Sequence, residues 1–194
     1  MSHYQGFHFP FEAAAHIRML ILDVDGVMTD GSIIMNGDAQ ELKAFNVRDG
    51  HGIKLLQRAG IEVAIITGRS SSVVAARAND LGIKQLIQGC LDKAAGLEEL
   101  EKKTNIRAAE CCMMGDDVLD LPPMYRMPLS FAPADAHQAL LGYVDWVSDN
   151  NGGKGAIRQA AEGLIIAKGK WQEVINQRYH VSPAQCGWKL CDAT

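Results

Sequence analysis

The pentapeptide Asp23-Val24-Asp25-Gly26-Val27 follows directly on the apolar run Ile17 to Leu22. An apolar run of strand length that ends in carboxylates is how a buried parallel strand delivers charge to the crevice where ligands of open α/β sheets bind. The pattern is that of a nucleophile loop for phosphoryl transfer. Taken alone, Asp-x-Asp-Gly is equally an ordinary turn. A calcium loop is excluded, because it needs an oxygen ligand at the fifth position and glycine at the sixth, where Val27 and Met28 stand.

Three further segments complement the first. Glu62 to Ile66 runs into Thr67-Gly68-Arg69, bringing a hydroxyl and backbone N–H groups to a helix start suited to anions. Lys93 opens a predicted helix after Gly89, and Cys111 to Met114 runs into Gly115-Asp116-Asp117, with Asp120 three residues on. Each has a plain structural alternative: a strand-to-helix turn, a solvated lysine, a set of helix-capping acids. Acids at two strand ends, with a threonine and a lysine between them in sequence, exceed what capping requires. A phosphomonoester carries about −1.5 to −2 at neutral pH, so a carboxylate approaches it only beside compensating positive charge. Lys93 and Mg²⁺ can supply that charge, the ion held by Asp23, Asp116 and a backbone carbonyl.

The elements that must position these residues alternate. Strands are predicted near Arg18 to Asp23, Glu62 to Thr67, Gln85 to Gln88, Cys111 to Gly115 and Leu129 to Phe131. Helices are predicted over Gly50 to Ala59, Ser71 to Leu81, Lys93 to Lys103 and Gly155 to Lys168, with Gly60 and Gly82 as stops. The expectation is a Rossmann-like parallel sheet with helices on both faces. One element breaks the rhythm, a β-hairpin within about residues 32–46 in which Asn36-Gly37 marks the turn. Ser32 to Met35 and Leu42 to Phe45 are apolar enough to need cover, and packing against another subunit is expected, with folding back onto the chain's own domain as the alternative.

A chain of 194 residues suits a single domain, expected over residues 1–170, followed by a tail over 171–194 that is disordered or lies at a subunit interface. A net charge of −4 without a basic stripe argues against nucleic acid. The chain shows neither a membrane-spanning apolar segment nor a signal-peptide pattern at Met1 to Gly6, so a cytoplasmic protein without a membrane partner is expected. The 5 cysteines are read as reduced thiols; Cys111 and Cys112 as core, and Cys186 and Cys191, with only His180 near, as too few for zinc. His16, His51 and His137 are alternatives for acid-base work, although His51 suits helix-start packing better. The Gly152 to Gly155 segment lacks the Walker ending and reads as an anion-friendly turn before a helix.

In order along the chain, Asp-x-Asp-Gly, Thr-Gly-Arg, Lys and Gly-Asp-Asp resemble the four motifs of the haloacid dehalogenase superfamily of phosphatases. The resemblance implies Asp23 as a nucleophile that forms an aspartyl-phosphate. It implies Asp25 as general acid and then base, lending its backbone carbonyl to Mg²⁺, with Asp116 as side-chain metal ligand. Thr67 and the Gly68 N–H would hold the phosphoryl group, and Lys93 would orient Asp23. Asp117 and Asp120 would hold metal waters and Lys93 from behind. The spacings between Asp25, Thr67 and Asp116 leave no room for a cap domain, so the fold is expected capless, with the hairpin protruding.

Longer stretches, Leu42 to Gly50, Ala64 to Arg69, Gly115 to Asp117 and Gly152 to Ala156, resemble the 3-deoxy-D-manno-octulosonate 8-phosphate phosphatases from about Arg18 to about Lys170. That likeness implies a Mg²⁺-dependent homotetramer acting on a sugar phosphate for Gram-negative lipopolysaccharide, each hairpin closing a neighbour's site. Arg69, Lys43 and Arg48 are the candidates for the sugar's carboxylate and hydroxyls, with surface solvation the alternative for the latter two. Lys154 stands where the family carries arginine in Gly-Gly-Arg-Gly, keeping the charge without the bidentate fork. Two rivals follow: a phosphatase for a nine-carbon 2-keto acid sugar phosphate, and a catalytically silent oligomerisation module of the same fold.

Overall fold

Short apolar runs closed by polar residues form one parallel sheet in the computed structural model, which describes residues 9–38 and 41–188. In chain order the elements are α1 (Phe11–Ala14), β1 (Met19–Leu22), β2 (Ile34–Met35), β3 (Glu41–Leu42), α2 (Val47–Arg58), β4 (Glu62–Ile66), α3 (Ser72–Leu81), β5 (Gln85–Ile87), α4 (Lys93–Thr104), β6 (Cys111–Met114), α5 (Leu121–Met124), β7 (Leu129–Ala132), α6 (Gln138–Leu141), β8 (Trp146–Val147), α7 (Ala156–Ala167) and α8 (Gln177–Tyr179). The sheet order is β5-β4-β1-β6-β7-β8. β1 therefore lies at the switch point, with chain order running away from it on both sides, and the crevice above its carboxyl end is where this topology places a ligand.

Alternation along β1 divides the core. Leu20 and Leu22 join α1, α2, α3 and α7 in one apolar layer, while Met19 and Ile21 meet α4, α5 and α6 in the other. Both faces of the sheet are thus covered, as expected of parallel strands with continuous apolar sequences.

Several boundaries differ from the sequence expectation. Helix α2 begins at Val47, because the Asn46 side chain accepts from the Arg48 and Asp49 N–H groups at 2.8 and 3.4 Å, and Gly50 lies inside the helix. β8 carries too short an apolar signal to stand out, yet pairs with β7 through Phe131 and Ala132. The hairpin forms, with Ile34 opposite Leu42 and Met35 opposite Glu41.

The tail needs a larger correction. Trp171, Val174 and Ile175 are buried in the core layer, and Trp188 stacks edge-on against Phe9 while donating its indole N–H to Glu162 at 3.0 Å. The apolar side chains of Trp171, Val174, Ile175 and Trp188 therefore pack on the domain, where aromatic and aliphatic area finds a surface to bury against. Cys191 lies outside the described residues.

Candidate active site

The β1–β6 ladder continues past the strands: the Asp23 N–H donates to the Met114 carbonyl at 3.1 Å, fixing the carboxylate at the sheet edge. The chain then turns tightly, with the Val27, Met28 and Thr29 N–H groups all directed at the Val24 carbonyl. Gly26 adopts φ +85°, and a Cβ there would stand 2.1 Å from Asp116 Oδ2. Glycine is what lets the first acidic loop lie against the second.

Lys93, the first residue of α4, reaches under both loops. Its Nζ is 2.7 Å from Asp23 Oδ2 and 2.6 Å from Asp120 Oδ1, and only 3% of the side chain is exposed. The other Asp120 oxygen accepts the Asp116 N–H at 3.0 Å and the Asp117 N–H at 3.4 Å. Asp120 thereby ties Lys93 to the β6 loop, while Asp117 is exposed and accepts from the Val118 N–H at 2.7 Å rather than reaching Lys93. Thr67 is buried one residue beyond β4, with its carbonyl held by the Cys90 N–H at 3.0 Å.

Carboxylates of Asp23, Asp116 and Asp120 offer oxygens all within 4.8 Å of one another. Burial, helped by Asp120, pushes Asp23 up to about 6 against the opposing pull of Lys93. Burial, then Asp23 and Asp120, pushes Asp116 up to about 7. Among the described residues, Asp23 Oδ1 is buried without a hydrogen-bond partner. An orphaned anionic oxygen beside a second carboxylate is the donor set of a hard divalent cation, and Asp23 and Asp116 fit Mg²⁺. Asp120 is less free to ligate, because Lys93 and two N–H groups already occupy its oxygens.

A pH dependence follows. Both carboxylates titrate above the ordinary 3.8, so the metal-free fold has their contribution in full below about pH 4 and loses it as pH rises through 6 to 7. The cation competes with those protons, and the Mg²⁺ concentration giving half-maximal thermal stabilisation is expected to rise about tenfold from pH 8 to pH 6. A pH-independent midpoint in a thermal-shift titration would contradict the assignment of these ligands.

At the mouth, Asp25 is paired with Lys43, whose side chain is only 1% exposed, and lies 3.7 Å from Arg69 Nε. Glu41 on β3, unforeseen from the sequence, accepts from Arg69 Nη2 at 2.6 Å and lies 3.2 Å from Lys43 Nζ. The hairpin base thus engages the chain's own site, whereas Ile33, Ile34, Met35 and Leu42 remain exposed. Lys154 is largely exposed, 3.6 Å from Asp30, and Arg48 is exposed on the first turn of α2.

The Gly152 to Gly155 turn is not an open anion site. The Gly152 N–H donates to Asp135 at 2.9 Å, and the Gly153 N–H to the Val27 carbonyl at 2.9 Å. Asp49 accepts from the Gly155 and Arg158 N–H groups at 3.1 and 2.8 Å, and so caps α7 from α2. A Cβ on Gly152 would meet the Gly26 carbonyl oxygen at 1.8 Å, so the turn buttresses the loop after Asp23 by close approach. Among the histidines, His51 bonds Tyr179 Oη at 3.2 Å and Arg158 at 3.1 Å, and His137 Nδ1 accepts the Ala139 N–H. These side-chain bonds are to helices and to the C-terminal segment, while the His137 backbone N–H donates to the Asp116 carbonyl at 2.7 Å.

Residues 46–125 match the family model described as haloacid dehalogenase-like hydrolase. The chain is 46% identical over 164 residues to 3-deoxy-D-manno-octulosonate 8-phosphate phosphatase KdsC of Salmonella typhi, covering 84% of this chain and 87% of that one. Among solved structures it is similar to the Yersinia pestis 3-deoxy-D-manno-octulosonate 8-phosphate phosphatase, with TM-score 0.82, 45% identity and coverage of 84% and 88%. The Moraxella catarrhalis phosphatase of the same description, in complex with magnesium ion, phosphate ion and KDO, superposes with TM-score 0.83 at 37% identity, covering 87% and 97%.

Proposed function

Because the chain belongs to the 3-deoxy-D-manno-octulosonate 8-phosphate phosphatase family of haloacid dehalogenase-like hydrolases, we propose that it releases phosphate from that eight-carbon acid sugar phosphate, using Mg²⁺. The observation that carries this reading is the Asp23 carboxylate, with Oδ2 held by Lys93 and Oδ1 buried without a partner beside Asp116.

In this reading an Asp23 oxygen bonds to phosphorus as the bond to the sugar oxygen breaks, giving an aspartyl-phosphate. Asp25 gives the departing oxygen a proton and then takes one from the water that releases phosphate. Thr67 and the Gly68 N–H hold the phosphoryl oxygens, and Lys93 keeps Asp23 oriented and its charge offset. Asp23, Asp116 and the Asp25 carbonyl would hold Mg²⁺, which would offset the charge of the phosphoryl oxygens. Asp120 acts by fixing Lys93. Asp117, exposed and turned to its own backbone, is left with metal waters as its role. Arg69 and Lys43 stand beside Asp25 and suit the sugar's carboxylate; Arg48 and Lys154, both exposed, would serve as further cations.

We place the reaction in lipopolysaccharide precursor synthesis in the cytoplasm; among the described residues no helix is long and apolar enough to cross a membrane. The exposed apolar hairpin supports a homo-oligomer, a tetramer, whose neighbour covers the site. A strict monomer in light scattering at working concentration would remove that part.

The test of function is phosphate release with Mg²⁺ from the eight-carbon acid sugar phosphate, its nine-carbon counterpart and hexose phosphates. Preference for the first is expected. Preference for the nine-carbon compound would assign Lys154 a specificity role, and release from none would favour the silent module.

A further inference from the structure

Glu41 is a carboxylate placed where none was needed for the chemistry above. It sits on the hairpin, yet its oxygen Oε1 lies 2.6 Å from Arg69 Nη2 and 3.2 Å from Lys43 Nζ, the two cations beside Asp25. With Arg69 Nε 3.7 Å from Asp25 and Lys43 paired to the same carboxylate, four charges alternate in a ring. A second feature points the same way. Ser71 stands at the N-cap of α3 but makes no side-chain capping bond there, and against the effect of burial Ser71, Lys43 and Arg69 together hold the Glu41 carboxyl below its ordinary value.

We propose that Glu41 is an internal stand-in for the substrate's carboxylate, occupying Arg69 and Lys43 in the empty site until a sugar acid displaces it. This rests on the sugar-acid reading above. The geometry suits exchange. Arg69 is 48% exposed, so an incoming carboxylate can reach its guanidinium, whereas the Lys43 ammonium is buried and already has Asp25 as a second partner. Glu41 belongs to a short two-stranded hairpin. Its withdrawal requires only that the hairpin base lift from the Thr67 to Ser71 loop. An internal competitor lowers the apparent affinity for any ligand that must displace it, by the fraction of time the cations are free. It also sets specificity: a sugar phosphate without a carboxylate cannot replace Glu41, and leaves the ring closed.

The test uses the intact Mg²⁺-loaded protein and two inhibitors, the free eight-carbon acid sugar and inorganic phosphate. Glu41→Gln is expected to lower the inhibition constant of the acid sugar about fivefold, the range of a partly exposed ion pair, while moving that of phosphate less than about twofold. Ser71→Ala, which loosens Glu41 and keeps its charge, should move the acid-sugar constant in the same direction by a smaller factor, and it carries the test if Glu41→Gln does not fold. An unchanged or raised acid-sugar constant overturns the proposal, as does an equal fall for both inhibitors, which would be a general charge effect. Failure of the functional reading is separate: the unsubstituted protein would then neither prefer the acid sugar phosphate nor be inhibited by the acid sugar.

Discussion

Asp23→Asn is expected to lower turnover by about four orders of magnitude or more while leaving the fold intact. An amide is isosteric with the carboxylate, but it neither attacks phosphorus nor ligates Mg²⁺ as an anion. The structural consequence should be small or favourable. The carboxylate is held at about 6 chiefly by burial, so ionising it in the metal-free protein opposes folding, and a neutral side chain removes that opposition. Lys93 keeps Asp120 as a partner at 2.6 Å. The expected observation is an inactive protein whose metal-free melting temperature at pH 8 is no lower than that of the unsubstituted chain, with a reduced Mg²⁺ thermal shift. Retained turnover would overturn the nucleophile assignment.

Lys93→Met tests the other half of the pair and should be destabilising. Burial lowers the Lys93 ammonium, and Asp23 and Asp120 more than reverse it, so the residue is charged in the fold. Removing it leaves three carboxylates with mutually close oxygens and no buried cation among them. Breaking a buried ion pair in this way costs about 3–5 kcal/mol. The loss should be largest at neutral pH and shrink as pH falls, because protonating the stranded carboxylates relieves it. Adding Asp120→Asn should recover part of the stability in urea unfolding at pH 7, without recovering turnover, since Asp23 remains unoriented. A double variant no more stable than Lys93→Met would show that Asp120 is not what the lysine neutralises.

Much of this was legible in one dimension. The apolar runs before Asp23, Thr67 and Gly115 are strands, and parallel strands in register necessarily gather their carboxyl ends, so Asp23, Thr67, Lys93 and Asp116 could be grouped before any coordinates. Residue type and order carried that information because each side chain's chemistry is set locally, by a strand end or a helix start.

Contacts between segments distant in sequence were not legible. Asp49 caps α7 across 106 residues, yet in sequence it is only an acid in the first turn of α2. The Gly152 turn offers N–H groups to an anion on paper, but folding commits them to Asp135, Asp49 and the Val27 carbonyl. Glu41 gave no signal, because a lone glutamate on a hairpin is ordinarily solvated; the hairpin's docking beside Arg69 gives it a partner. Part of the tail packs on the domain: Trp171 is buried in the core, and Trp188, partly buried, meets Phe9 and Glu162. Identity and order of the reacting groups belong to the chain itself, since they follow from local backbone geometry and side-chain chemistry. Which polar group satisfies which, and which charge waits beside which, is settled by three-dimensional packing, because hydrogen bonds and ion pairs depend on distances that sequence separation does not encode.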